Sequence, residues 1–226
     1  MSVTGIVAAL QAEARTLDPL PNDRLVALSG MGPQAAARAA QDLVAAGAQG
    51  LLSFGLAGAL DPKLAAGAVV MPQCVIDGAG GAYTPYGPWR DRLAAQAAAI
   101  ADAAMVVGGT LLSVAQPLSS VAAKSQARSR TNACAVDMES FAIAEVAARL
   151  GVRFAIARVV IDGAADALPL SVIHATGPYG AVNLPRLVAG LVSTPGDLLT
   201  LMRLPRRYRA ALRTLRALAQ VDLGLP

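Results

Sequence analysis

The chain has very little of what most enzymes use for chemistry near neutral pH. It has one histidine, His174, and two cysteines, Cys74 and Cys134, which lie far apart. That excludes a histidine-based triad and any of the usual zinc ligand spacings, and it makes buried, inert thiols in a reducing compartment the expectation for both cysteines. Charged residues are also scarce, at 15%, against 55% apolar residues, which describes a globular domain and excludes a disordered chain. Uninterrupted apolar runs of about 20 residues are missing, so no transmembrane helix is expected. The opening residues lack a basic stretch followed by an apolar core and a cleavage site, so a cytoplasmic location is expected.

What is present reads as an α/β protein. At 226 residues the chain suits a single domain with a sizeable core, residues 1–226, of which 184–226 form a helical extension. Apolar strand-length runs occur at Val3–Ala9, Arg24–Leu28, Gly50–Phe54, Ala68–Val75, Ala104–Ala115 and Phe154–Ile161. Helical patterns lie between them, at Pro33–Ala46, Trp89–Ala101, Ser119–Arg128 and Met138–Leu150, the first opened by Pro33 and the last stopped by Gly151. Gly55–Gly58 reads as a turn after a strand, and Gly108-Gly109 as a bend within one. The alternation predicts a three-layer α/β/α domain, with a mostly parallel mixed sheet covered on both faces. Residues 167–183, rich in Pro, Gly and Ala, read as loop, and 184–192 and 195–202 as two short helices.

Positive charge is concentrated at the C-terminus. Arg203, Arg206, Arg207, Arg209, Arg213 and Arg216 occur with no acid before Val221, and the rest of the chain is close to neutral. A neutral body excludes a nucleic-acid groove along the protein. Leu204, Tyr208, Leu212, Leu215 and Ala219 share one face of a basic amphipathic helix. Its apolar face has two readings: packing on the core, or docking through Pro205–Ala219 on an anionic membrane or partner.

The acids are few enough to weigh singly. Val136-Asp137-Met138-Glu139-Ser140 opens a helix, and Arg158-Val159-Val160-Ile161-Asp162-Gly163 closes a strand. Such ends line the ligand crevice of an open α/β sheet. Two further segments, Gly5 to Glu13 and Phe54 to Leu60, complete a pattern. In order and rough spacing over residues 3–166 it resembles the purine nucleoside phosphorylase and methylthioadenosine/S-adenosylhomocysteine nucleosidase superfamily.

The resemblance implies cleavage of the bond between a ribose and a purine. Asp162 matches the general acid at the base, Glu139 the residue gripping the ribose hydroxyls, and Glu13 the base that activates water in the nucleosidases. Met138, Gly55 and Phe141 are the other candidate substrate contacts, with Trp89 as an alternative stacking ring. Arg158 is a candidate support for the carboxylates, and Gly30 and Gly32 a candidate anion cradle at a helix start. Each has a plainer reading: a strand-end Asp, helix-start glutamates, a core methionine, a structural ion pair.

No metal or cofactor is implied, although phosphate is a candidate co-substrate. Leu56 and Ser53 replace residues that commonly hold phosphate, which favours hydrolysis over phosphorolysis, hydrolase over glycosyltransferase. The aromatic residues that usually stack on the purine are missing, with Gln116-Pro117-Leu118 in that region. Beyond Asp162, Leu168-Pro169-Leu170, Pro185-Arg186-Leu187 and Thr194-Pro195-Gly196-Asp197 resemble the hopanoid-associated branch, which implies adenosylhopane as the substrate in hopanoid biosynthesis and a peripheral place on the inner membrane face. The family also implies a homo-oligomer. Two other readings stay open: a soluble nucleosidase for methylthioadenosine or adenosylhomocysteine, and a membrane-associated module without activity.

Overall fold

The computed structural model describes residues 2–100, 104–167, 177, 179–181 and 197–226. Ten strands form one mixed, mostly parallel sheet. The central strand β3 (Gly50–Ala59) pairs in parallel with β1 (Thr4–Ala8) and β10 (Arg153–Asp162), and antiparallel with β9 (Ala135–Asp137). β2 (Arg24–Leu28) flanks β1. Beyond β10 come β4 (Val69–Met71) and β7 (Met105–Val107); beyond β9 come β8 (Thr110–Ser113), β5 (Cys74–Ile76) and β6 (Ala82–Tyr83).

Strand residues alternate between two helical layers, as a period of two requires. Leu51, Ala57, Phe154, Ile156 and Val160 meet α2 (Pro33–Ala45) and α5 (Ser140–Leu150). Leu52, Phe54, Ala155, Ala157 and Val159 meet α3 (Gly87–Ile100) and α6 (Asp197–Ala219). Both faces are covered, so the strands carry no polar alternation. The three-layer expectation holds.

Several boundaries differ from the sequence reading. Gly55–Gly58 is not a turn but the second half of β3, paired with β9 and β10. The run 104–115 is broken where Gly108 and Gly109 both take positive φ (+103° and +71°), and 68–75 is broken after Met71. Glu13 lies in a one-turn helix, α1 (Gln11–Ala14), and α4 spans Val121–Thr131 behind a Ser120 cap. The second C-terminal helix and the basic helix are one continuous α6, with Pro205 inside it. The helix expected at 184–192, and most of the 167–183 loop, lie outside the described residues.

The basic helix keeps its apolar face for the core. Ala211, Leu215 and Leu218 are fully buried, and the segment after them buries Val221 and Leu223. Trp89 is also fully buried there, and its indole N–H donates to the Leu223 carbonyl at 3.2 Å. The outer side of α6 presents exposed Arg206, Arg209, Arg213 and Arg216. No helix among the described residues is long and apolar enough to cross a membrane.

Candidate active site

Two helix starts and a strand end bring the acids together. Glu139 caps α5, which follows β9 directly, and Glu13 sits in the turn after β1. Asp162 ends β10 after a bulge: Val160 pairs with Ala57, but Asp162 pairs with the next residue, Gly58, leaving Ile161 as the extra one. A bulge re-aims the side chains that follow it. Ile161 and Asp162 both line a cavity of ≈ 180 Å³ together with Glu13, Glu139 and Met138. Most of the remaining wall is aliphatic, from Leu10, Met31, Leu56, Val114, Pro117 and Leu118.

Glu13 is held from three sides. Its Oε2 accepts from the amides of Ala9 (2.9 Å) and Leu10 (2.8 Å), and its Oε1 from that of Leu56 (2.8 Å). Burial pushes its carboxyl up; the Arg158 charge and these three amides pull it back without cancelling the rise. Gly55 makes this seat available, since a Cβ there would stand 2.5 Å from Glu13 Oε1. Gly55 also takes φ +154°, a backbone conformation that L side chains rarely adopt, so Gly55→Ala is expected to strain β3 and lower Tm as well as to displace Glu13 from its amides. A loss in kcat of about 10²-fold with nearly unchanged nucleoside binding follows from that misplacement; steady-state kinetics would check it.

Glu139 lies over a buried cation. Its Oε1 accepts from the Gly32 amide at 3.0 Å, and Arg158 approaches its Oε2 at 3.4 Å. The anion at the Gly30–Gly32 loop is thus the protein's own carboxylate, which corrects the reading of that loop as a free anion cradle. Gly30 is buried there and donates no hydrogen bond to the Glu139 carboxylate.

Arg158, 1% exposed, also reaches Asp137 (2.7 Å), Ser53 (2.7 Å), Ser140 (3.2 Å) and the Leu56 carbonyl (3.3 Å). Burial works against its charge, but Asp137, Glu139 and Glu13 outweigh it and hold the guanidinium firmly protonated. Asp137 in turn accepts from Ser113 Oγ at 2.8 Å and from the Ser140 amide and hydroxyl. It is a buried ion-pair partner of Arg158.

Burial pushes the Glu139 carboxyl up to about 7; Arg158 opposes this, and Asp137 and Glu13 add to it. A carboxyl raised in the folded state takes up protons on folding between its unfolded value and about 7, so it stabilises the fold below that window and the contribution is lost as pH rises through it. Glu13 and Asp162 are raised too and act with the same sign. The ligand-free protein is expected to melt at lower temperature at pH 8 than at pH 5, with Glu139 accounting for up to about 3 kcal/mol. Thermal melts across that range should show a smaller pH slope in Glu139→Gln.

Three candidates fall elsewhere. Gly55 does not line the cavity; it lies against the Glu13 carboxyl. Phe141 does not line the cavity; its ring packs on Tyr83 with centroids 5.1 Å apart, and its tip contacts the Gly81 region. Being next to Ser140 on α5, it points about 100° round the helix from it, toward β6. Trp89 is sealed in the opposite core layer. The cavity wall that the described residues give has no aromatic ring.

One residue of the site was not anticipated. Lys124, on α4, lines the same cavity; it is 1% exposed and makes a direct ion pair with Asp162. A signal existed. The chain has 19 basic residues, of which only Lys63 and Lys124 are lysines.

The sequence matches the description of the phosphorylase superfamily over residues 22–193. The chain belongs to the phosphorylase superfamily. Solved structures agree on the superfamily fold. The 5′-methylthioadenosine/S-adenosylhomocysteine nucleosidase of Neisseria meningitidis, in complex with methylthio-immucillin-A, superposes with a TM-score of 0.69 at 21% identity, over 85% of this chain and 99% of that one. A mutant nucleosidase of Helicobacter pylori with 5′-methylthioadenosine in its active site gives 0.68 at 17% identity, over 96% and 98%. The futalosine hydrolase of the same organism gives 0.67 at 17%, over 96% and 97%. Among curated protein sequences none matches.

Proposed function

We propose that this member of the phosphorylase superfamily hydrolyses the N-glycosidic bond of a 5′-substituted adenosine and releases adenine. The observation that carries the reading is the convergence of Glu13, Glu139 and Asp162 on one cavity. The bond breaks when the purine leaves with its electron pair while the ribose gains oxocarbenium character. Asp162 delivers a proton to N7 of the departing base. Ionised Glu139 accepts from the ribose hydroxyls and favours positive charge on the ring. Glu13 takes a proton from the attacking water.

Water is favoured over phosphate by how the cations of the cavity are used. Arg158 is taken by Asp137 and Glu139, Lys124 by Asp162, and the Gly32 amide by Glu139. Among the described residues lining the cavity no other basic side chain remains for a phosphate dianion.

The substrate we propose is adenosylhopane. An aliphatic wall suits a lipid-tailed nucleoside, and the arginine row on the outer side of α6 suits an anionic bilayer. Because the apolar face of α6 is in the core, membrane attraction rests on charge alone. Four arginines at about 1 kcal/mol each would give binding that salt abolishes. Truncating the helix would remove core residues, so charge substitution is the suitable probe: Arg206, Arg209, Arg213 and Arg216 changed together to Gln should end cosedimentation with phosphatidylserine-containing vesicles.

The deciding assay is adenine release from adenosylhopane, 5′-methylthioadenosine and S-adenosylhomocysteine, with and without phosphate. The expected result is the highest kcat/KM for the lipid-tailed substrate and no need for phosphate. A preference for the small nucleosides would reassign the substrate, a sugar 1-phosphate product would reassign the nucleophile, and no adenine from any of them would end the reading.

A further inference from the structure

Asp162 has a neighbour that complicates its role. Lys124 Nζ contacts Asp162 Oδ2 and donates to the carbonyls of Gly163 and Asp166, both at 2.9 Å. Three acceptors use all three ammonium hydrogens. The turn that supplies two of them is itself tied down: the Gly163 amide donates to Asp166 Oδ2 at 2.8 Å, and Arg207 of α6 pairs with the same oxygen at 2.7 Å. Both members of the pair are buried, Lys124 at 1% and Asp162 at 3% exposure, and both line the cavity. An ammonium in direct contact favours the ionised carboxylate. An ionised carboxylate has no proton to give.

We propose that Lys124 is the source of the proton that leaves with adenine, passed through Asp162. The inference rests on the nucleoside-cleaving reading above. As the C1′–N9 bond breaks, its electron pair moves into the purine. Asp162 takes a proton from the Lys124 ammonium and delivers it to N7, ending as a carboxylate beside a neutral amine. Water adds its oxygen to C1′ and gives its proton to Glu13. Proton exchange with solvent then returns Glu13 and Lys124 to their starting forms. Arginine could hold Asp162 equally well but does not surrender a proton. This gives a physical reason for a lysine here in a chain whose cations are otherwise almost all arginines.

Two variants separate proton supply from positioning. Lys124→Arg keeps the ion pair but removes the donor, so kcat should fall by about 10²-fold or more at every pH. Lys124→Met leaves Asp162 without its contact cation. The charged groups still facing it are Asp166 from the following turn and Arg207 from α6; the β3 and β9 side presents Gly58 and Val136. Buried in this way, Asp162 carries its own proton at low pH. The alkaline limb of the Lys124→Met rate profile should therefore lie at lower pH than that of the parent enzyme.

Thermal melting establishes that each variant folds. If Lys124→Met does not fold, Lys124→Arg decides alone. Lys124→Arg with the parent rate and pH profile, or a folded Lys124→Met with an unchanged alkaline limb, would overturn the inference. If the parent protein releases no adenine, the functional reading has failed first. If it does and Lys124→Arg matches it, only the role of Lys124 falls.

Discussion

Asp162→Asn is expected to lower the rate of adenine release by about 10³-fold while leaving a folded protein, the usual scale for removing a positioned acid. The amide matches the carboxylate in shape and its carbonyl can still accept from Lys124, but it cannot pass a proton to a purine nitrogen. Burial raises the Asp162 carboxyl and Lys124 pulls it back, and that balance disappears with the charge. Initial rates with saturating substrate, alongside melting curves, would measure the effect. A folded variant within about 10-fold of the parent would remove Asp162 as the acid.

Arg158→Leu is expected to be the most destabilising substitution at the site. The guanidinium is the shared counter-charge of Asp137, Glu139 and Glu13, all buried. Its loss strands their charge and leaves Ser53 and Ser140 without the donor that bridges them. Breaking a buried ion pair from one side costs about 3–5 kcal/mol, which for a chain of this size lowers Tm by roughly 10 °C. The cost should shrink at pH 5, where stranded carboxyls can take up protons, and grow at pH 8. Denaturant or thermal melts at the two pH values would show this, and a Tm within about 2 °C of the parent at pH 8 would contradict it. Lysine should restore only part of the stability, because a single ammonium cannot span Asp137, Glu139 and both serines.

Much of this site was visible in the chain because its acids stand at element ends, where apolar strand and helix patterns stop. Asp162 closes an apolar run, and Asp137 and Glu139 flank a helix start. The layered fold was likewise legible from strands without polar alternation. What could not be read depended on register and facing. The bulge at Ile161 adds one residue to β10 opposite β3 and leaves no mark in a run of Val and Ile. Phe141 was a candidate stacking ring, but the helical turn sends it to Tyr83.

The Gly32 amide looked free until a carboxylate 107 positions away arrived at it. Lys124 reaches Asp162 across 38 positions, which no local pattern encodes. The apolar stripe of α6 was correctly periodic, but periodicity alone does not say whether a sheet or a bilayer covers it. Leu215 and Leu218 settle that in favour of the sheet.

The central claim is that Glu13, Glu139 and Asp162 surround one glycosidic bond. A crystal structure with a non-cleavable 5′-substituted adenosine analogue tests it most directly. The account predicts the purine N7 edge within hydrogen-bond reach of Asp162, the ribose hydroxyls on Glu139, and Glu13 facing C1′ from the side where water would enter. A nucleoside seated away from these carboxylates, or no bound nucleoside at saturating concentration, would contradict it.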